Sequence, residues 1–143
     1  MLPFEGGLLN LDVAYPTKAD LVVEIGFGMG DSLLEMAAAD KDRNFLGIEV
    51  HKPGIGKLLH GTAEKGLTNL LVVSSDAKEV IEFGLQPESI SKLLVFFPDP
   101  WHKKRHNKRR LIQAEFIQML RPKLKLNAQI HLATDWQPYA EQM

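Results

Sequence analysis

The sequence has 143 residues, the size of one domain, and 45% of them are hydrophobic, which is enough apolar side chain for a buried core. Its formal net charge of −1 argues against a uniformly basic nucleic-acid coat, and the absence of cysteine excludes disulfides and thiolate zinc sites. No apolar run is long enough to cross a bilayer, and the N-terminus lacks the basic and apolar regions of a signal peptide. We therefore expect a cytoplasmic domain without a membrane or metal partner.

Residues 1–20 contain glycine and proline in several places and are predicted to be irregular. Beyond them, apolar runs of strand length alternate with helical patterns, and the predicted strands are Leu21–Gly26, Asn44–Glu49, Leu70–Ser74, Lys92–Phe97 and Gln129–Thr134. This alternation indicates a parallel sheet with helices on both faces. Ligands of such sheets bind beyond the carboxyl ends of the strands, so the residues that follow each strand are the candidates for a site.

The helical patterns carry their own start and stop signals. Ser32 and Glu35 have capping-box spacing at the start of the first helix. The second helix is expected to hold Pro53 in its first turn and to end at Gly66. A third helix is predicted over Ala77–Phe83.

The first strand runs into a glycine-rich turn, Glu24-Ile25-Gly26-Phe27-Gly28-Met29-Gly30. Glycines allow a tight turn and a close approach of the backbone to a ligand. Dinucleotide-binding turns follow the pattern G-x-G-x-x-G, whereas this turn is G-x-G-x-G with Glu24 two residues before its first glycine. A carboxylate repels a pyrophosphate and attracts the ammonium group of a methionine moiety. The turn therefore favours S-adenosylmethionine over NAD, and a structural turn without a ligand is the alternative.

Acidic residues also follow the second, third and fifth strands. Glu49 lies about 20 residues beyond the glycines, where a carboxylate can accept hydrogen bonds from both hydroxyls of a ribose. Asp76 is placed to cap the next helix or to bind the exocyclic amine of adenine, and these two roles are compatible. Asp135 is a further candidate at the same edge, with a helix cap as the alternative.

The fourth strand ends in the most unusual stretch of the chain, Phe96-Phe97-Pro98-Asp99-Pro100-Trp101. The two prolines fix φ on both sides of Asp99, which predicts a stiff turn that presents one carboxylate beside an indole. Such rigidity suits a catalytic site, and the alternative is a rigid loop with Trp101 in the core. Six of the next nine residues, His102 to Arg110, are Lys or Arg and none is acidic. At this edge the basic run favours a phosphate backbone over a solvated helix face.

Four segments of the sequence resemble the bacterial type of tRNA (guanine-N7)-methyltransferase: Glu24–Gly30, Phe45–His51, Phe96–Arg110 and Ala133–Glu141. The resemblance implies an α/β, Rossmann-like class I S-adenosylmethionine-dependent methyltransferase fold, with a mostly parallel sheet and helices on both faces. It also implies methyl transfer to N7 of a guanine in the variable region of tRNA. The family's sheet has seven strands and the sequence shows five. We therefore expect a methyltransferase domain over residues 21–143 that is incomplete at its C-terminus.

The motifs carry the family's site residues onto this sequence. Asp99 falls on the proposed catalytic position. The predicted cofactor-binding residues are Glu24, Gly26, Gly28, Gly30, Glu49, Asp76 and Asp99. Lys103 and Asp135 fall on positions assigned to the substrate. The RNA-contacting stretch corresponds to Arg105, His106, Asn107, Lys108, Arg109 and Arg110.

Other classes of protein fit parts of the pattern. An NAD-dependent dehydrogenase would need a third glycine one residue later. A non-catalytic RNA-binding module would explain the basic run but would leave Glu24 and Glu49 without a role. An exocyclic-amine methyltransferase would have a [DN]-P-P-[YFW] turn after strand four, whereas Asp99 lies between its two prolines. An incomplete chain that binds S-adenosylmethionine and RNA without activity is the alternative to an active enzyme.

Overall fold

The computed structural model describes residues 1–97 and 114–134 of the chain, and the strands in these ranges form one sheet. These strands are β1 (Leu21–Ile25), β2 (Asn44–Glu49), β3 (Leu70–Ser74), β4 (Ile90–Phe97) and β5 (Leu124–Thr134). Neighbouring strands are parallel throughout, in the order β3-β2-β1-β4-β5. The order reverses direction between β1 and β4, which is where sheets of this kind open a crevice for ligands.

The helices of the described residues cover both faces of this sheet. They are α1 (Leu11–Ala14), α2 (Asp31–Ala39), α3 (Lys52–Lys65), α4 (Ala77–Glu79, continued by a π-helical turn, Val80–Gly84) and α5 (Ala114–Leu120, continued by a 3-10 turn, Arg121–Lys123). Buried residues of α2 and α3 form one core with one face of the sheet. Buried side chains from the segment 1–20, from the π-helical turn and from α5 form a second core on the opposite face. The prediction of a parallel sheet with helices on both faces is confirmed.

Burial on both faces explains why the strands could be predicted from apolar runs in the sequence. All five residues of β1 are buried, and alternate residues enter the two cores: Val23 and Ile25 one of them, Val22 the other. Glu24 follows Val22 on the face that α2 and α3 cover, and it is the charged residue of this otherwise apolar strand.

Strand β5 starts five residues earlier than predicted. Its pairing with β4 is irregular at the beginning, because Ile90 is opposite Leu124 while Lys92, only two residues further along β4, is opposite Gln129. Asn127 within this irregular stretch has a φ of 67°. Polar residues and a left-handed backbone conformation interrupt the apolar alternation, so the pattern in the sequence becomes regular only from Gln129 onward.

The helix boundaries confirm two predictions and correct one. Pro53 lies in the first turn of α3, and Gly66 ends the helix in the left-handed conformation with a φ of 61°. The capping box at Ser32 and Glu35 is wrong, because α2 already begins at Asp31 and no side chain caps it. Gly30 takes the N-cap position with a φ of 83°, a conformation that serine adopts poorly.

Residues 1–20 contain the short helix α1 and pack against the rest of the chain. The Leu2 N–H donates to the carbonyl of Val72 on β3, and the Leu9 N–H donates to the carbonyl of Gly84, both at 2.8 Å. Leu9 and Tyr15 are buried, and the Tyr15 hydroxyl donates a hydrogen bond to a backbone carbonyl of β2. No helix within 1–97 and 114–134 has both the length and the apolar character that membrane crossing requires.

Candidate functional site

The glycine-rich turn after β1 contains three left-handed residues in alternation. Gly26, Gly28 and Gly30 have φ values of 72°, 64° and 83°, a region that side chains with a Cβ disfavour. A Cβ at Gly28 would meet no atom within 4 Å. One side of the loop therefore faces open space, as a ligand-binding turn requires.

The glycine loop is held to β2 by a hydrogen bond and by an apolar contact. The Gly26 N–H donates to the carbonyl of Ile48 at 3.0 Å. Phe27 is buried against Gly47, where an added Cβ would approach its ring to 2.8 Å. Gly47 was not predicted as a site residue. The signal for it is a glycine in the middle of a buried strand, which marks a close approach of another group.

Glu49 ends β2 and holds the glycine loop in place. Its Oε1 accepts a hydrogen bond from the Gly28 N–H at 2.8 Å, and its Oε2 accepts one from the Val50 N–H at 2.9 Å and one from the His51 N–H at 3.3 Å. An ionised carboxylate has about four acceptor positions, so about one remains for a ligand. Besides the ribose contact that the sequence predicts, Glu49 therefore has a structural role in holding the glycine loop, which the sequence did not indicate.

Glu24 lies next to this loop in a different environment. Only 1% of its surface is exposed, and its Oε1 has no hydrogen-bond partner among the described residues. Burial, and to a smaller extent the negative charge of Glu49, raises the pKa of the Glu24 carboxyl to about 7. A buried carboxyl oxygen without a donor is costly unless a cation or a donor reaches it. Glu24 is therefore placed to receive a positively charged group.

Asp76 follows β3 and caps α4, as predicted. Its Oδ1 accepts hydrogen bonds from the N–H groups of Lys78 at 2.8 Å and Glu79 at 3.4 Å. Glu49 is opposite Ser74 in the β2–β3 register, so Asp76 comes two residues beyond the same edge of the sheet. The cap uses Oδ1 for both bonds, which leaves Oδ2 for a donor on a ligand.

The remaining predicted site residues lie outside the described residues. These are Asp99, Lys103, Arg105, His106, Asn107, Lys108, Arg109, Arg110 and Asp135. The strands that lead to them do end at the edge that carries Glu49, because Phe97 of β4 and Thr134 of β5 are register partners at the carboxyl ends of the sheet. A separate cavity of about 400 Å³ lies at the opposite, amino edge, beside Leu21 and Asn44, and none of the predicted site residues within 1–97 and 114–134 lines it.

Comparison with known proteins places this chain in a family. Residues 18–143 match the model of a family described as "Putative methyltransferase". The tRNA (guanine-N(7)-)-methyltransferase of Pseudomonas fluorescens strain SBW25 is 51% identical over 143 residues, which is 100% of this chain and 59% of that protein. The protein of the same name from Shewanella woodyi is 56% identical over 135 residues, 94% of this chain and 57% of that protein. The chain thus spans a little under three fifths of the length of these curated relatives.

Solved structures of methyltransferases have the same architecture. The aminoglycoside resistance methyltransferase NpmB1 is 21% identical with a TM-score of 0.64 over 92% of this chain and 64% of that one. A SAM-dependent methyltransferase from Thiobacillus denitrificans, solved with S-adenosyl-L-homocysteine, is 16% identical with a TM-score of 0.57 over 85% of this chain and 45% of that one. These likenesses confirm the predicted Rossmann-like class I fold. Because the family model matches most of its length, the chain belongs to this methyltransferase family.

Proposed function

We propose that the protein transfers the methyl group of S-adenosylmethionine to N7 of a guanine in tRNA, and that it does so in the cytoplasm. The observation that carries the proposal is the buried Oε1 of Glu24, which has no hydrogen-bond partner in the described part of the chain and lies beside a loop of three left-handed glycines. This arrangement offers a negative site to a ligand whose methionine end is cationic. The choice of tRNA as substrate is supported by the name shared by relatives at 51% and 56% identity and by the basic run from Lys103 to Arg110.

Three residues of the described edge would hold the cofactor. Glu24 would receive the ammonium group, and the resulting ion pair would remove the cost of its burial. Glu49 would accept a ribose hydroxyl with its remaining acceptor position while it continues to hold Gly28. Asp76 would accept the exocyclic amine of adenine through Oδ2 while Oδ1 caps α4. Glu24 lies within β1 one residue before its end, Glu49 ends β2 and Asp76 follows β3, and these three strands are neighbours in the sheet.

When bound, S-adenosylmethionine supplies an electrophilic methyl group that the in-plane lone pair of guanine N7 can accept in line, with the S–CH3 electron pair leaving on sulfur. No proton has to be removed, so the residues of the chain are needed for alignment rather than for general-base catalysis. We assign Asp99 the role of stabilising the positive charge that develops on the guanine ring and of accepting hydrogen bonds from N1–H and the 2-amino group. Lys103 and Asp135 would orient the guanine nucleotide.

The test is a methyl-transfer assay with unmodified tRNA and labelled cofactor, followed by mapping of the labelled nucleoside. We expect 7-methylguanosine. A matched tRNA transcribed with 7-deazaguanosine has a carbon in place of N7 and should accept no label. Label on an exocyclic amine, or label in the 7-deaza transcript, would contradict the proposed chemistry.

A further inference from the structure

The first turn of α3 lies directly against the glycine loop at Gly54. We propose that Gly54 is a positioning residue that fixes the Gly28 segment of the loop and thereby the depth of the crevice above it. This inference rests on the proposed function for the identity of the ligand, S-adenosylmethionine or its product. Its structural part, the seating of the loop on α3, is independent of that ligand.

Space, and not backbone conformation, requires glycine at this position. Gly54 is helical, and alanine is preferred to glycine in helices. A Cβ added to Gly54 would nevertheless lie 1.7 Å from the carbonyl oxygen of Gly28 and 2.7 Å from its carbonyl carbon. Carbon and oxygen atoms in favourable contact are about 3.3 Å apart, so an alanine would have to move the two segments apart by about 1.6 Å. Both groups are backbone, and neither can rotate away.

A second contact from the same face of α3 supports the other end of the loop. Leu58 lies one turn beyond Gly54 and is fully buried. An added Cβ at Gly30 would lie 2.9 Å from the Cβ of Leu58. The helix therefore supports the loop at two points, Gly28 and Gly30. From the side of β2, the loop is held by the hydrogen bond from the Gly28 N–H to Oε1 of Glu49 at 2.8 Å.

These restraints define where the loop can go when it is displaced. The carbonyl side of Gly28 is filled by α3, whereas the side to which a Cβ would point is open. A larger residue at position 54 would therefore push the Gly28 carbonyl away from α3 toward the open side and change the geometry of the hydrogen bond from the Gly28 N–H to Glu49. Both the hydrogen bond to Glu49 and the room for a ligand would be reduced. Misplacement of a binding group by about 1 Å is enough to cost up to about 100-fold in function.

The experiment compares Gly54→Ala with Gly56→Ala in the same helix. Gly56 is exposed, and a Cβ there would meet nothing within 4 Å, so it controls for the effect of alanine on helix propensity. We expect Gly54→Ala to weaken the binding of S-adenosylhomocysteine by about 10- to 100-fold in calorimetry, and Gly56→Ala to leave it unchanged. Thermal unfolding of both variants, with binding measured far below the unfolding temperature, separates a shifted loop from a smaller folded fraction.

Hydrogen exchange of the ligand-free protein provides the readout that does not depend on the cofactor. The Gly28 amide should exchange faster in Gly54→Ala than in wild type, because its bond to Glu49 is broken, and it should not change in Gly56→Ala. Unchanged exchange and unchanged affinity in a folded Gly54→Ala protein would overturn the inference. A wild-type protein that does not bind S-adenosylhomocysteine would instead refute the proposed cofactor, and the exchange comparison would still decide the role of Gly54.

A milder variant covers the case in which Gly54→Ala does not fold. Leu58→Val keeps most of the core volume but removes the Leu58 Cδ1, which an added Cβ at Gly30 would approach to 3.0 Å. We expect faster exchange of the Gly28 amide and binding of S-adenosylhomocysteine that is several-fold weaker. A folded Leu58→Val protein with wild-type exchange and wild-type affinity would show that α3 does not set the position of the loop.

Discussion

Replacement of Glu24 by glutamine removes one charge from the centre of the proposed cofactor site and leaves the shape of the side chain nearly unchanged. Burial, together with a smaller contribution from the charge of Glu49, raises the pKa of Glu24 from 4.5 to about 7. At pH 6 about one tenth of the ligand-free molecules would have Glu24 ionised, and at pH 8 about nine tenths. If the ammonium group of the ligand binds only the ionised form, the Kd should be about tenfold weaker at pH 6 than at pH 8.

The assay is calorimetry with S-adenosylhomocysteine between pH 5.5 and pH 8.5, for wild type, Glu24→Gln and Glu35→Gln. Glu35 is exposed on α2 and serves as the matched control. Titration of the ligand itself is common to all three proteins, so the difference between wild type and Glu24→Gln isolates Glu24. Near pH 7 the wild type should release about half a proton per ligand bound, and Glu24→Gln should release less. Parallel pH profiles for wild type and Glu24→Gln would refute the assignment of the ammonium group to Glu24.

The raised pKa of Glu24 also predicts how the free energy of unfolding of the ligand-free protein depends on pH. Because the pKa in the folded state is above that in the unfolded chain, the folded state binds the extra proton between pH 4.5 and about 7. The contribution of Glu24 to stability is therefore complete below pH 4.5 and is lost as the pH rises through about 7. A shift of this size corresponds to about 3 kcal/mol, which should appear as a falling free energy of unfolding in wild type. Glu24→Gln should not show this loss.

Further predictions concern the core and the catalytic edge. Asn69→Ala should lower the free energy of unfolding in urea by about 2 kcal/mol, since its buried amide donates to three backbone carbonyls around the end of α2; exposed Thr68→Ala is the control, and equal losses would contradict this role. Asp99→Asn should strongly reduce turnover at an unchanged Kd for S-adenosylhomocysteine, and loss of that binding instead would contradict its assignment to the guanine. Replacement of the basic residues from Lys108 to Arg110 should weaken tRNA binding and reduce the slope of log K against log salt by as much as about 2. An unchanged slope would place the RNA contact elsewhere.

The sequence was sufficient to predict the strands and the edge that carries the site, for a physical reason. Strands buried on both faces appear as short apolar runs, and parallel connections bring all their carboxyl ends to one edge. The polar residues at or just beyond the ends of such runs, Glu49 and Asp76 among them, can therefore be grouped from the sequence alone. Asp76 was given two compatible roles, and the helix-cap role is confirmed. The start of β5 was misplaced because its first residues do not alternate regularly against β4.

The seating of the loop could not be predicted, because it depends on contacts between elements that are distant in sequence. The N-terminal part of α3 contains two glycines, Gly54 and Gly56. The sequence alone does not indicate which of them contacts the backbone of another segment. A signal was present in the helical period, since Gly54 lies four residues before buried Leu58, on the face that turns inward. A glycine on the apolar face of a helix is a reason to look for a close approach. The atom that approaches, the Gly28 carbonyl, comes only from the folded chain.

The two glutamates of the site differ in what the folded protein has already supplied to them. Glu49 receives three N–H donors from the backbone, so its carboxylate is held in place and the loop is shaped before a ligand arrives. Glu24 is fully buried, and its Oε1 receives none from the described residues. Its ionised form is therefore disfavoured in the ligand-free protein, as the raised pKa of about 7 shows, and a cation that enters would stabilise it. A pyrophosphate at the same loop would bring a second negative charge close to the Glu24 carboxylate, whose own charge has no compensating donor at Oε1 among the described residues. The geometry of the loop is thus prepared in advance, while the charge of Glu24 selects the ligand.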